Sequence, residues 1–265
     1  MKKFITIALL LIITSFSSSF ALNQIKKGLQ LIHHKTFNIE SGKVITLSTE
    51  SGDVEITPWN RNEIEVKIYG NENAKEKYDF YFDADNQSVK IQGERKKKWN
   101  FFSNLRLKYE IKVPAKFNLK ISTAGGDIKV GGVDGDITLN TSGGDIWTDR
   151  VSGSLKLNTS GGDIKIFSND ASIDAKTSGG DITLEYIGKN KGIELRTSGG
   201  DIDINLPSDF SAKVELSTSG GDVSCSFKLN NIEKISRTKI IGEINNGGNK
   251  LIATTSGGDI EVRSK

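Results

Sequence analysis

The sequence predicts an all-β protein, a parallel β-helix or β-roll-like solenoid whose coils of about eighteen residues each hold two short strands, with a larger β-rich cap at the N-terminal side. Three observations carry this. A hexapeptide close to Thr-Ser-Gly-Gly-Asp-Ile recurs, placing an Asp at Asp127, Asp145, Asp163, Asp181, Asp201, Asp222 and Asp259. The first three steps between these are eighteen residues and the next two are twenty and twenty-one, a fixed-period self-similarity that marks stacked supersecondary units. Between the corners, apolar and polar residues alternate with period two, as in a half-buried strand.

Residues 1–21 have the three parts of a secretory signal peptide: Met1-Lys2-Lys3, the apolar run Phe4 to Ile13, and Ser19-Phe20-Ala21 before the expected cleavage point. The apolar run falls short of the roughly twenty residues of a membrane span, and no later stretch is long enough. The expectation is an exported protein, periplasmic, on the cell surface or extracellular, with no membrane span. Cys225 is the single cysteine, so no disulfide within the chain is possible and packing must hold the fold. The formal charge of +3 falls to +1 once Lys2 and Lys3 are removed, since residues 1–21 hold no acid. No bulk field favours nucleic acid.

Residues 22–35 show no turn signals and read as a leader segment. From 36 to 121 the chain reads as a β-rich N-terminal cap with the first irregular coils. Ile45-Leu47, Val54-Ile56, Ile64-Val66-Ile68, Val89-Ile91 and Leu107-Tyr109-Ile111-Val113 all alternate, and Ser51-Gly52-Asp53-Val54 is an early copy of the repeat corner. A cap is expected because a bare terminal coil offers unpaired backbone to other chains. Within it, Arg95, Lys96, Lys97, Lys98 and Trp99 run into Asn100-Phe101-Phe102, a basic and aromatic stretch. It reads either as a surface contact for phosphate, lipid headgroups or acidic glycans, or as a solvated hairpin tip joining Val89-Ile91 to Leu107-Val113.

Residues 122–265 are the regular solenoid. After each strong corner the inward positions are Ile128 and Val130, Ile164 and Ile166, Ile182 and Leu184, Ile202 and Ile204, Val223 and Cys225. After a weaker corner about nine residues on, they are Ile137 and Leu139, Leu155 and Leu157, Ile173 and Ala175, Ile193 and Leu195, Val214 and Leu216. The same parity turns Thr141, Thr159, Thr177, Thr197 and Thr218 inward. Paired glycines are expected to supply a positive-φ corner and to let neighbouring corners stack. The last step is thirty-seven residues, which suggests a degenerate corner at Gly242-Glu243-Ile244. One coil buries too few aliphatics to offset the entropy of ordering it, so the coils must come in a run.

In-register coils stack the corner carboxylates at the strand spacing of about 4.8 Å. Like charges there repel unless something neutralises or solvates them. In one answer each Asp accepts N–H groups of its own Gly-Gly turn or a neighbouring Ser hydroxyl. In the other, cations sit between coils, as in calcium-binding β-rolls; that motif's nearest match, Gly131 to Asp136, occurs once and lacks one of its glycines.

The Ser-Gly-Asp-Val turn at 51–54, the Val113-Pro114 step, the serial corners, and the closing Ile244 to Gly248 and Thr255 to Ile260 resemble the bacterial putative-adhesin β-strand repeat domain family of unknown function. That family is related to the head domain of putative autotransporter adhesins. The resemblance spans roughly 36 to 263 and implies a β-helical, exported, envelope-associated protein; it brings no functional residues.

The leading expectation is therefore a non-enzymatic envelope or surface binding scaffold, a putative adhesin, with an envelope polymer, glycan or protein as partner. Outward positions after the strong corner run Lys129, Trp147, Lys165, Thr183 and Asp203, which makes Trp147 a second candidate contact. A purely structural envelope protein, a calcium-binding β-roll and a polysaccharide-active enzyme are the alternatives. Acid/base catalysis needs two carboxylates in different environments, whereas the conspicuous ones here repeat identically. No catalytic, cofactor or metal residues are expected.

Overall fold

The computed structural model describes residues 28–96 and 104–265. In chain order it contains β1 (Gln30–Asn38), β2 (Val44–Thr49), β3 (Asp53–Trp59), β4 (Glu63–Gly70), the short helix α1 (Glu72–Lys77), β5 (Tyr78–Ala84), β6 (Ser88–Arg95), β7 (Leu107–Pro114), β8 (Asn118–Thr123) and β9 (Ile128–Gly131). The repeats continue as β10 (Asp134–Asn140), β11 (Ile146–Asn158), β12 (Ile164–Lys176), β13 (Ile182–Ile187), β14 (Ile193–Arg196), β15 (Ile202–Leu206), β16 (Ala212–Thr218) and β17 (Val223–Cys225). The chain closes with β18 (Leu229–Ser236), β19 (Lys239–Ile244), β20 (Lys250–Thr255) and β21 (Ile260–Ser264).

The strands make two faces with the apolar core between them. Those that enter a corner stack in parallel on the first face, in the order β6, β2, β8, β10, β11, β12, β14, β20, β16. Those that leave a corner stack in parallel on the second, in the order β7, β3, β9, β11, β12, β13, β15, β21, β17. β11 and β12 run through their weak corner and serve both faces, which links all 21 strands into one open sheet. Register follows the repeat: Leu139 pairs with Leu157, and Ile173 with Ile193.

Neither end is built in chain order. The β2–β3 pair lies between β6–β7 and β8–β9. The β20–β21 pair lies between β14–β15 and β16–β17. This corrects the expected degenerate corner. Gly242-Glu243-Ile244 lies in β19, antiparallel to β16, and the thirty-seven residues hold an outlying hairpin, after which the last coil returns to an internal slot. The corners share one sequence, so any of them fits between any two others; the connections decide which slot is filled.

Antiparallel strands pair at the two ends. At one, β5 joins β6, β4 joins β7, and β1 joins β4. These flaps meet through aromatic rings, His33 lying 5.0 Å from Phe80 and Phe37 6.3 Å from Phe82. The expected leader therefore becomes strand from Gln30 onward, because β4 supplies its backbone partners while Ile32 and Phe37 pack on the core. His33 and His34 point apart, His34 bonding Glu65 at 3.0 Å. Because β6 and β7 lie on different faces and do not pair, no hairpin joins them. Lys97, Lys98 and Trp99, like the expected signal peptide, lie outside the described residues.

The inward residues of the repeats are buried as their parity requires, including Thr141, Thr159, Thr177, Thr197 and Thr218. Val223 and Cys225 are half-buried, since β17 ends the second face and the β18–β19 hairpin extends only the first, through β16. Partial burial pushes the Cys225 thiol pKa up, which suits a small apolar residue more than a nucleophile. Among the described residues no helix is long and apolar enough to cross a membrane.

Candidate functional site

The strong corners stack into a continuous hydrogen-bonded edge. Asp145 Oδ1 accepts the backbone N–H of Asp163 at 2.8 Å, and Asp163 Oδ1 that of Asp181 at 2.9 Å. The column runs from Asp53 through Asp127, Asp145, Asp163, Asp181, Asp201 and Asp259 to Asp222. Each carboxylate thus serves the next coil, where an acceptor for its own turn was expected. In-register stacking is the reason: it sets the next corner's N–H directly over the oxygen. Arg237 terminates the column, its guanidinium donating to Asp222 as another Asp N–H would.

Inside the corner a second column runs alongside. Thr159 Oγ1 donates to the Gly144 carbonyl at 2.8 Å and accepts the Gly162 N–H at 3.3 Å, and Thr141, Thr177, Thr197, Thr255 and Thr218 repeat the arrangement. Parity had shown these threonines to be buried; that their hydroxyls bridge coils follows only from register.

At the glycine pairs one of the two expectations fails and the other holds. Neither Gly161 nor Gly162, nor the matching pairs, adopts positive φ. A Cβ on Gly162 would run into the Gly144 carbonyl, whereas one on Gly161 would come no nearer than 3.7 Å to any atom. Close stacking at the second glycine, not backbone handedness, fixes the residue type there.

Outside this edge lies the second face, which carries Trp147 on β11. Trp147 pairs in register with Lys129 on β9 and Lys165 on β12, and it is 48% exposed. The three residues and the carboxylates of Asp127, Asp145 and Asp163 line a shallow trough of about 240 Å³. Phe167, half-buried, projects from the same face two residues beyond Lys165. It was not singled out from the sequence, although its outward parity marks it.

Among the described residues Lys129 and Lys165 have no ion pair, unlike lysines nearer the first end of this face. Lys67 meets Glu65 at 2.9 Å, Lys108 meets Glu55 at 2.8 Å, and Lys112 meets Glu65 at 3.5 Å. Trp59 is likewise engaged, with Arg61 and Lys112 over its ring and its Nε1–H donating to the Glu63 carbonyl at 2.8 Å. Of the basic stretch, Lys96 donates to the Glu76 carbonyl at 3.0 Å and lies 3.5 Å from Asp79, so it is tied to the fold. The Arg95 backbone N–H donates to Glu50 at 3.4 Å. Among the described residues no group of three or more His, Cys, Asp or Glu is placed to hold a metal ion.

Solved structures similar to this chain include a putative cell adhesion protein from Clostridium sporogenes, at 14% identity over 89% of this chain and 100% of that one, with a TM-score of 0.40. A putative adhesin from Bacteroides fragilis aligns at 12% identity over 88% of this chain and 97% of that one, TM-score 0.39. A putative lipid binding protein from Parabacteroides distasonis aligns at 16% identity over 87% and 96%, TM-score 0.43. No curated protein matches the sequence. The family described as Toastrack DUF4097 matches twice, over residues 43–154 and 118–263, and with the serial corners that carried the resemblance stacked along one edge, the chain belongs to that family.

Proposed function

We propose that the chain is an exported cell-envelope or surface β-solenoid that acts without catalysis, holding a polymer, glycan or protein partner against its second face. In this reading, coils of about eighteen residues form the body, the antiparallel strands within 36–121 cap one end, and residues 1–21 direct export. The observation that carries it is the set Lys129, Trp147 and Lys165: three large outward side chains on consecutive strands, among which neither lysine has an ion pair in the described residues. A rigid parallel face holds them at fixed spacing, so little entropy is lost when a partner lies across them.

A non-enzymatic role is supported by the carboxylates. Acid/base work on a glycosidic bond needs two carboxyl groups in unlike environments. Here Asp127, Asp145 and Asp163 each accept one backbone N–H from the next coil, the same duty in the same setting.

The test is cell fractionation followed by photo-crosslinking in place, with the crosslinking residue at position 147 and, as a control, at Lys156 on the first face. Capture of an envelope component from 147 and none from 156 is the expected result. Equal capture from both, or none from 147, would remove this reading.

A further inference from the structure

The trough beside Trp147 has a chemistry that narrows what it accepts. Asp127, Asp145 and Asp163 use Oδ1 for the next corner's N–H, and among the described residues the second oxygen of each carries no hydrogen bond. Lys129 and Lys165 bring ammonium donors from either side of the indole. Three carboxylates against two ammonium groups leave the trough without the positive field that a polyanion requires. What remains is an aromatic plane edged by alternating acceptors and donors.

We infer that this trough is a subsite for a neutral pyranose in a glycan running along the solenoid axis. The inference rests on the scaffold reading above and names its ligand class. The indole faces the C–H side of one sugar ring, the free carboxylate oxygens accept from its hydroxyls, and the lysines donate to hydroxyl and ring oxygens of the sugars before and after. Strands repeat at about 4.8 Å, close to the length of one pyranose unit, so Lys129, Trp147 and Lys165 meet successive sugars only when the polymer crosses the strands. Phe167 follows Lys165 on the side away from Asp127, Asp145 and Asp163, set between Asp149 and Glu185 of the adjacent strands.

Calorimetric titration of the full chain with maltohexaose, cellohexaose and chitohexaose, and with polygalacturonate as the polyanion, tests this. At least one neutral hexaose should bind. Trp147→Ala should weaken it tenfold or more, Trp147→Phe less, and Lys129→Met or Lys165→Met severalfold. Preference for polygalacturonate, or neutral binding unchanged in Trp147→Ala, would overturn the inference. Should no hexaose bind while the crosslinker at 147 still captures an envelope component, the glycan inference falls and the scaffold reading stands. Should the crosslinker capture nothing as well, both fall.

Discussion

The Thr218 hydroxyl donates to the carbonyl oxygen of Gly258 at 2.8 Å, although Gly258 lies forty residues further along the chain. The partner exists because the last coil occupies a slot inside the stack. Removing residues 250–265 would strip β14 and β16 of their shared neighbour on the first face, and β15 and β17 on the second. The truncated chain is expected to melt lower by more than about 10 °C, or to lose cooperativity altogether. Melting followed by circular dichroism decides the matter. A midpoint within a few degrees of the full chain would mean that the remaining coils close on one another and the slot is dispensable.

The two glycines of a corner should respond differently to the same change. Gly161→Ala adds a methyl with ordinary contacts of 3.7 Å and longer, and should cost less than about 1 kcal/mol. Gly162→Ala drives a methyl into the Gly144 carbonyl, with Asp145 Oδ1 only 2.8 Å away, and should cost more than about 3 kcal/mol as two coils are forced apart. Denaturant unfolding of both variants is the measurement. Equal losses would show that the corner is not stacked as described.

The body of the fold was legible because its rules are local and repeated. Period-two alternation placed Ile128, Leu139, Leu157 and Leu184 in the core, and spacing set which corners stack. What escaped depends on topology. Nothing in Gly242-Glu243-Ile244 distinguishes a corner from an antiparallel strand, since alternation is the same in both. Of the two reasons expected for Gly162, the stacking of neighbouring corners holds and positive φ, a common demand on glycine, does not; which carbonyl lies beneath it depends on register. At the candidate site, Lys129, Trp147 and Lys165 were readable as outward neighbours. That the two lysines lack ion pairs while Lys112 has one was not, because the acid that pairs it, Glu65, comes from the neighbouring strand β4.

Acid should destabilise the β1–β4 end of the fold through Glu65. Its carboxylate is bonded by Lys67 at 2.9 Å, which is the chief influence, and by His34 at 3.0 Å, with Lys112 at 3.5 Å; together they outweigh partial burial and pull its pKa down to about 2. The unfolded value is near 4.3. A carboxyl group depressed on folding contributes stability that is fully present above the unfolded pKa and is lost as pH falls through the folded one. Glu65→Gln should therefore melt below the native chain at pH 6 by a gap that stays level down to about pH 5, then narrows toward pH 2. A gap that widens on acidification would contradict the assignment.

The corner column makes a prediction that separates hydrogen bonding from charge. Asp163 Oδ1 accepts the Asp181 N–H at 2.9 Å, and its neighbours in the column, Asp145 and Asp181, carry the same charge one strand away. Asp163→Asn keeps an oxygen for that N–H and removes one member of a repelling series, so it should change stability by less than about 0.5 kcal/mol. Asp163→Ala removes the acceptor of the Asp181 N–H at this exposed edge, which should cost about 0.5–1.5 kcal/mol. If cations bridged the column instead, both substitutions would destabilise alike. A chelator at neutral pH would then lower the melting temperature of the native chain, because metal-binding energy would be folding energy. The hydrogen-bonded column requires Asn to lie near the native chain, Ala to lie below it, and the chelator to leave all three melting temperatures where they were.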